Sequence, residues 1–222
     1  MAGKITALKY QKRNKERVNV YLDGEFAFGL AAIEAVRLKV GQDLTDADIN
    51  RLQASDEVEK TYARALRFLS NRPRTEAEIR RRLGPKTENP AALDEALARL
   101  RRAGLVDDAA FGQFWVENRA QFRPKGRRLL KAELRQKGLS AEQADAVLAE
   151  SNTNDDAAAY QAATSRAPRL ASLPREEFFR RMQGFLARRG FGYETIKETI
   201  ERVWREAVEQ DLSADTNRES EE

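Results

Sequence analysis

One pattern constrains this chain more than any other. After about residue 55, a group of three helix-like segments recurs three times, and the second segment of each group ends at a glycine. Those glycines are Gly84, Gly138 and Gly190, 54 and 52 positions apart. In the first cycle, Val58, Tyr62, Ala65, Leu66 and Leu69 fall on one helical face, and the helix stops at Asn71-Arg72-Pro73. Thr75-Glu76-Ala77-Glu78 reads as a capping box opening a second helix with Ile79 and Leu83, and a third carries Leu93, Leu97 and Leu100 up to Gly104. The second cycle repeats this. Phe111, Phe114 and Trp115 mark its first helix, Leu129, Leu130 and Leu134 its second, and Ala144, Val147 and Leu148 a third opened by the capping box Ser140–Gln143. The third runs through an Ala-rich helix (155–165), a segment over 174–189 with Phe178, Met182, Phe185 and Leu186, and a last helix with Ile196, Ile200, Val203 and Trp204. A fixed period of this kind implies repeated units, each too thin to bury its apolar face alone.

The first 30 residues differ. Ile5–Tyr10 and Val18–Leu22 alternate apolar and polar side chains, Asp23-Gly24 is a hairpin turn signal, and Phe26-Ala27-Phe28 returns as the next strand. A sheet this small needs a helix over its apolar face, and Ala31–Leu38 is the nearest candidate. A short helix is expected over Thr45–Gln53. The expected fold is therefore mainly α, with tandem three-helix repeats in an elongated stack behind a small antiparallel sheet. The boundaries are 1–53 for the sheet and short helices, 54–106, 107–152 and 153–208 for the repeats, and 209–222 for a disordered acidic tail.

Composition removes many chemistries. The 222 residues include no His and no Cys, which excludes Ser-His, Cys-His and His-metal sites and disulfides built from this chain. No phosphate-cradling glycine loop is present. No apolar run approaches a membrane span and no signal peptide opens the chain, so a cytoplasmic protein is expected. Asp107 and Asp108 read as a helix N-cap rather than a metal pair. Phe111, Phe114, Trp115, Phe185 and Trp204, at helical spacing, read as core rather than base-stacking platforms. No cofactor, metal or catalytic residue is expected.

The net charge is only +4, but it is segregated. Basic residues dominate 58–138, no Lys or Arg occurs in 139–165, and 206–222 is acidic. A sustained basic stretch suits a polyanion or an acidic protein surface. The candidate contact residues are Arg72 and Arg74 at the Pro73 turn and Arg80, Arg81, Arg82, Arg127, Arg128 and Lys131 on the second helices. Arg180, Arg181, Arg188 and Arg189 extend the set to the third cycle.

Leu69–Ile79, Gly104–Phe111 followed by Trp115-Val116 and Arg119, and Gly126 with Leu129, Glu133-Leu134 and Lys137-Gly138-Leu139 together resemble the signatures of the RecX family of recombination regulators. The stretch ending Tyr21-Leu22-Asp23-Gly24-Glu25-Phe26 resembles that family's leading region. Two departures stand out. Gly84-Pro85 replaces a basic-Gly pair, and Gly112 stands where a small helix former such as Ala is usual, at a helix-propensity cost of about 1 kcal/mol. The resemblance implies a non-enzymatic, monomeric protein in DNA repair, recombination and the SOS response. Such a protein binds RecA, lies in the groove of the RecA–ssDNA filament and inhibits the recombinase, with weak non-specific nucleic-acid contact and no membrane. A helix-turn-helix-like regulator binding specific duplex sequences is the alternative.

Overall fold

The structure is a computed structural model that describes residues 2–151 and 153–219. The described residues divide into two compact units, the first ending at Asp107 and the second starting at Asp108.

The first unit opens with three antiparallel strands, β1 (Gly3–Tyr10), β2 (Arg17–Leu22) and β3 (Glu25–Ala31). Asp23 and Gly24 both take positive φ, 49° and 92°, as a two-residue hairpin turn demands. The two-residue strand β4 (Asp43–Leu44) pairs with Gly3 and Lys4, giving the order β3-β2-β1-β4. Strict alternation on β2 buries Val18, Val20 and Leu22 and leaves their neighbours half-exposed.

The cover over this sheet differs from the sequence expectation. Helix α1 (Ala32–Ala35) is a single turn, with Ile33 exposed on it and Val36 exposed at its C-cap. The sheet's inner side chains (Ile5, Val20, Leu22, Phe28, Leu30) pack instead on Leu38, Leu44, Ile49 and Leu52. Ile49 and Leu52 lie on α2 (Asp46–Leu69), a 24-residue helix opened by a capping box between Thr45 and Asp48. The expected short helix over 45–53 and the helix beginning near Val58 are thus one element, because nothing between Gln53 and Val58 breaks a helix. The boundary between 53 and 54 falls inside it. The first half of α2 covers the sheet, and its second half supplies Tyr62, Ala65, Phe68 and Leu69 to the next core.

Where the two halves meet, the carboxylate of Asp56 is buried at 2% exposure. It accepts from both terminal nitrogens of Arg17 at 3.1 and 3.0 Å and from the Ala31 backbone N–H at 2.7 Å, and it pairs with Lys60 at 2.8 Å. Burial alone would push this carboxyl up, but the hydrogen bonds from Arg17 and Lys60 hold it below the ordinary range. Helix α3 (Glu76–Leu83) and helix α4 (Pro90–Arg102) complete a three-helix core of Ala65, Ile79, Leu83, Leu93, Leu97, Leu100 and Val106.

The second unit holds two further three-helix groups. Helices α5 (Asp108–Phe122), α6 (Arg127–Lys137) and α7 (Ala141–Glu150) enclose Phe111, Val116, Leu130, Leu134, Val147 and Leu148. Asp107 stands directly before α5, and Ser140 and Gln143 form the expected capping box on α7. Helices α8 (Asp155–Arg166), α9 (Arg175–Arg188) and α10 (Tyr193–Glu219) enclose the alanines of α8, Phe178, Met182, Leu186, Ile196, Ile200 and Val203. Trp204 packs on this core with its ring 5.1 Å from Phe178.

Gly138 and Gly190 are left-handed caps (φ 107° and 85°), where only glycine is free of strain. Gly84 is not their equivalent, because its φ of −49° is helical and the chain continues into a 3-10 turn through Lys86. Helix α10 also runs to Glu219, through most of the segment expected to be a disordered tail, since 193–219 contains neither Gly nor Pro. Residues 220–222 of that expected tail lie outside the described residues.

Candidate partner and nucleic-acid interface

The structure sorts the twelve cations singled out in the sequence into engaged and unengaged groups. Arg72 forks onto Glu78 with two bonds of 3.1 and 2.9 Å and also donates to the Pro73 carbonyl, which ties the turn to α3. Arg74 lies 4.2 Å over the Phe68 ring; burial, and then the charge of Arg72, lower its affinity for a proton. Arg80 bridges Glu76 (2.8 Å) and Asp94 (2.6 Å), and its hydrogen bond to Asp94 leads the causes that raise its pKa. Arg127 donates to the Leu148 carbonyl at 2.8 Å while its backbone N–H reaches Asp155. Lys131 pairs with Asp145 at 2.6 Å, and Arg181 with Glu177 at 2.6 Å. These are internal braces. Their partners sit one helical turn away or on a neighbouring helix, where the sequence shows only separate charges.

Of the rest, Arg189 is half-buried and the others face water. Arg81 and Arg82 on α3, Arg128 on α6 and Arg188 on α9 are exposed, with no ion pair among the described residues. Arg180 has only a 3.6 Å approach to Glu177 and is 78% exposed. Exposed guanidiniums without carboxylates are the groups able to take a phosphate or a partner's acid without first breaking a native bond.

One set of contacts in the second three-helix group is not visible in the sequence, although Trp115, Arg119 and Glu133 are among the residues that carry the family resemblance. Glu133 on α6 accepts from Trp115 Nε1 (3.0 Å), Arg119 (2.9 Å) and Lys125, joining α5, the intervening turn and α6. Burial would raise this carboxyl, but the hydrogen bonds from Lys125, Arg119 and Trp115 keep it low. The Trp115 ring carries Arg119 at 4.2 Å and Lys137 at 4.6 Å and stacks on Phe111, so it belongs to the packing as expected. Phe114 is the exception among the predicted core aromatics, at 41% exposure, and Phe122 at the end of α5 reaches 66%.

Arg123 was also missed. The signal for it was present, since Arg72-Pro73-Arg74 and Arg123-Pro124-Lys125 occupy the same turn in successive repeats. Arg189, by contrast, is half-buried: it lies 4.5 Å over Phe185 and donates to the Pro124 carbonyl at 2.9 Å. Burial, followed by the nearby charge of Arg123, lowers its pKa.

Among the described residues, no group of three acidic side chains is placed to hold a metal ion, and no helix is long and apolar enough to cross a membrane. The architecture defines a class: a small antiparallel sheet followed by three tandem three-helix groups, with arginines left unpaired on the second helix of each. The chain belongs to the RecX family of regulatory proteins. Residues 3–45 match the regulatory protein RecX N-terminal domain, and 62–100, 107–148 and 154–200 match the first, second and third RecX three-helix domains.

Among its relatives is a regulatory protein RecX of Bacillus subtilis, 32% identical over 202 residues, covering 90% of this chain and 76% of that protein. Another, from Listeria monocytogenes, is 33% identical over 169 residues, covering 75% and 62%. A crystal structure of regulatory protein RecX superposes with a TM-score of 0.71 at 28% identity, covering 90% of this chain and 99% of that one.

Proposed function

We propose that this protein binds RecA and the RecA–ssDNA filament and inhibits the recombinase without catalysing a reaction, as a cytoplasmic monomer acting in DNA repair, recombination and the SOS response. Family membership supports a regulatory role. The observation that carries the filament reading is the distribution of unpaired guanidiniums. Arg81 and Arg82, Arg128, and Arg188 recur on the second helices of successive three-helix groups, while Arg80 and Arg181 on those helices are paired with carboxylates and Arg127 is held by the Leu148 carbonyl. Contacts repeated along one chain suit a repetitive polymer, because several modest contacts gain through effective concentration. The absence of His and Cys leaves little for catalysis.

The test is RecA's DNA-dependent ATP hydrolysis on single-stranded DNA, with the protein titrated substoichiometrically. Inhibition well below one molecule per RecA is expected. Joint Arg81→Ala, Arg82→Ala and Arg128→Ala substitution should weaken it, while leaving the fold intact because these side chains brace nothing. No inhibition at excess, together with tight binding to a specific duplex sequence, would favour the helix-turn-helix alternative.

A further inference from the structure

The junction of the second and third three-helix groups gathers positive charge in a way that the repeat pattern does not require. The Gly126 N–H donates to the Arg189 carbonyl at 2.9 Å, and Arg189 returns a hydrogen bond to the Pro124 carbonyl, also at 2.9 Å. These two bonds bring the turn between α5 and α6 against the C-terminal cap of α9. Arg123 lies in the turn and Arg128 just beyond it, and the cap carries Arg188 and Arg189. None of the four has a carboxylate within ion-pair distance among the described residues. Arg123 and the half-buried Arg189 are like charges brought together by this packing, an arrangement that an anion relieves, and burial next to Arg123 already weakens proton affinity at Arg189. Phe122, 66% exposed, immediately precedes Arg123.

We infer that Arg123, Arg128, Arg188 and Arg189 form a phosphate-binding cluster for single-stranded nucleic acid, with Phe122 stacking on a base beside it. Guanidiniums offer paired donors to phosphate oxygens, and an exposed aromatic among them is how sequence-tolerant single-strand binders are built. An acidic protein surface would satisfy the charges but does not itself call for an exposed aromatic beside them. This inference rests on the nucleic-acid contact of the proposed function and not on its RecA contact.

The test is fluorescence anisotropy of labelled oligothymidylate with the full chain, without RecA, at several potassium chloride concentrations. Arg123 is the variant of choice because it is exposed and braces nothing. Arg123→Ala should weaken binding about five- to tenfold and flatten the slope of log K against log salt by about 0.7, the value for one phosphate fewer neutralised on a single strand. Phe122→Ala should weaken binding by about fivefold or more with the slope unchanged. Wild-type protein that does not bind the oligonucleotide, or Arg123→Ala and Arg188→Ala variants that bind with unchanged affinity and slope, would overturn the inference. In the second case, a loss of RecA capture by the same variants would assign the cluster to an acidic protein surface and leave the proposed function standing. If the variants lose DNA and the wild type still fails to inhibit RecA, the cluster stands and the filament reading falls.

Discussion

Gly126 and Gly190 meet backbone to backbone. A Cβ added to Gly126 would stand 2.6 Å from the Gly190 carbonyl carbon and closer still to its oxygen, and one added to Gly190 would stand 2.5 Å from Leu129 Cβ. Two repeats of the second unit therefore join through a contact in which neither position has room for a side chain.

Gly126→Ala should accordingly destabilise the protein by about 2 kcal/mol or more, since an inserted methyl must displace main chain rather than a flexible side chain. Urea unfolding followed by circular dichroism would report the change as a lower midpoint. An unchanged midpoint would show that the junction yields without cost.

Two mid-helix glycines should respond in opposite directions. At Gly112 a Cβ would lie 2.7 Å from Val147 Cγ2 and 3.2 Å from Leu139 Cδ2, both in the core. At Gly184 the nearest atom is the mobile tip of Arg188, at 3.3 Å. Gly184→Ala should stabilise by up to about 1 kcal/mol through helix propensity. Gly112→Ala should destabilise by about 1–2 kcal/mol, because overpacking outweighs the same gain. Melting temperatures of the two variants measured side by side would decide the matter.

The buried carboxylate of Asp56 should make the fold sensitive to acid. Its pKa lies below the ordinary value in the folded protein, so the unfolded chain takes up the proton more readily. The stability it contributes is therefore present above about pH 4 and lost as pH falls through the folded value. Asp56→Asn should cost about 3 kcal/mol at neutral pH by leaving Arg17 and Lys60 without their partner. It should also remove part of the decline in urea midpoint between pH 7 and pH 3. A variant with the wild-type midpoint at pH 7 would contradict this account.

Glu133 follows the same sign, with its three partners marking the α5–α6 joint. Glu133→Gln keeps the shape but removes the charge that Arg119 and Lys125 pair with, at an expected cost of about 2 kcal/mol. In a Trp204→Phe background, Trp115 is the only indole, and its emission should shift as its Nε1–H is left with an uncharged acceptor. Emission and midpoint both unchanged would show that the carboxylate is not needed there.

Much of this protein was legible locally. The hairpin turn at Asp23-Gly24, the stop before Pro73, the Ser140–Gln143 box and the apolar faces of the helices are each set by a few adjacent residues. The repeat itself is a one-dimensional property, and so the sequence alone determined the three helical groups and the sheet that precedes them. What it could not determine depends on distance through space. Whether a cation is a brace or a free contact turns on which carboxylate lies within about 4 Å, and Arg80 and Arg81, adjacent in sequence, fall on opposite sides of that line. Only the tertiary structure made Gly112 a packing necessity and brought Arg123 beside Arg189. Each of these follows from the packing of elements distant in sequence, which no local preference encodes.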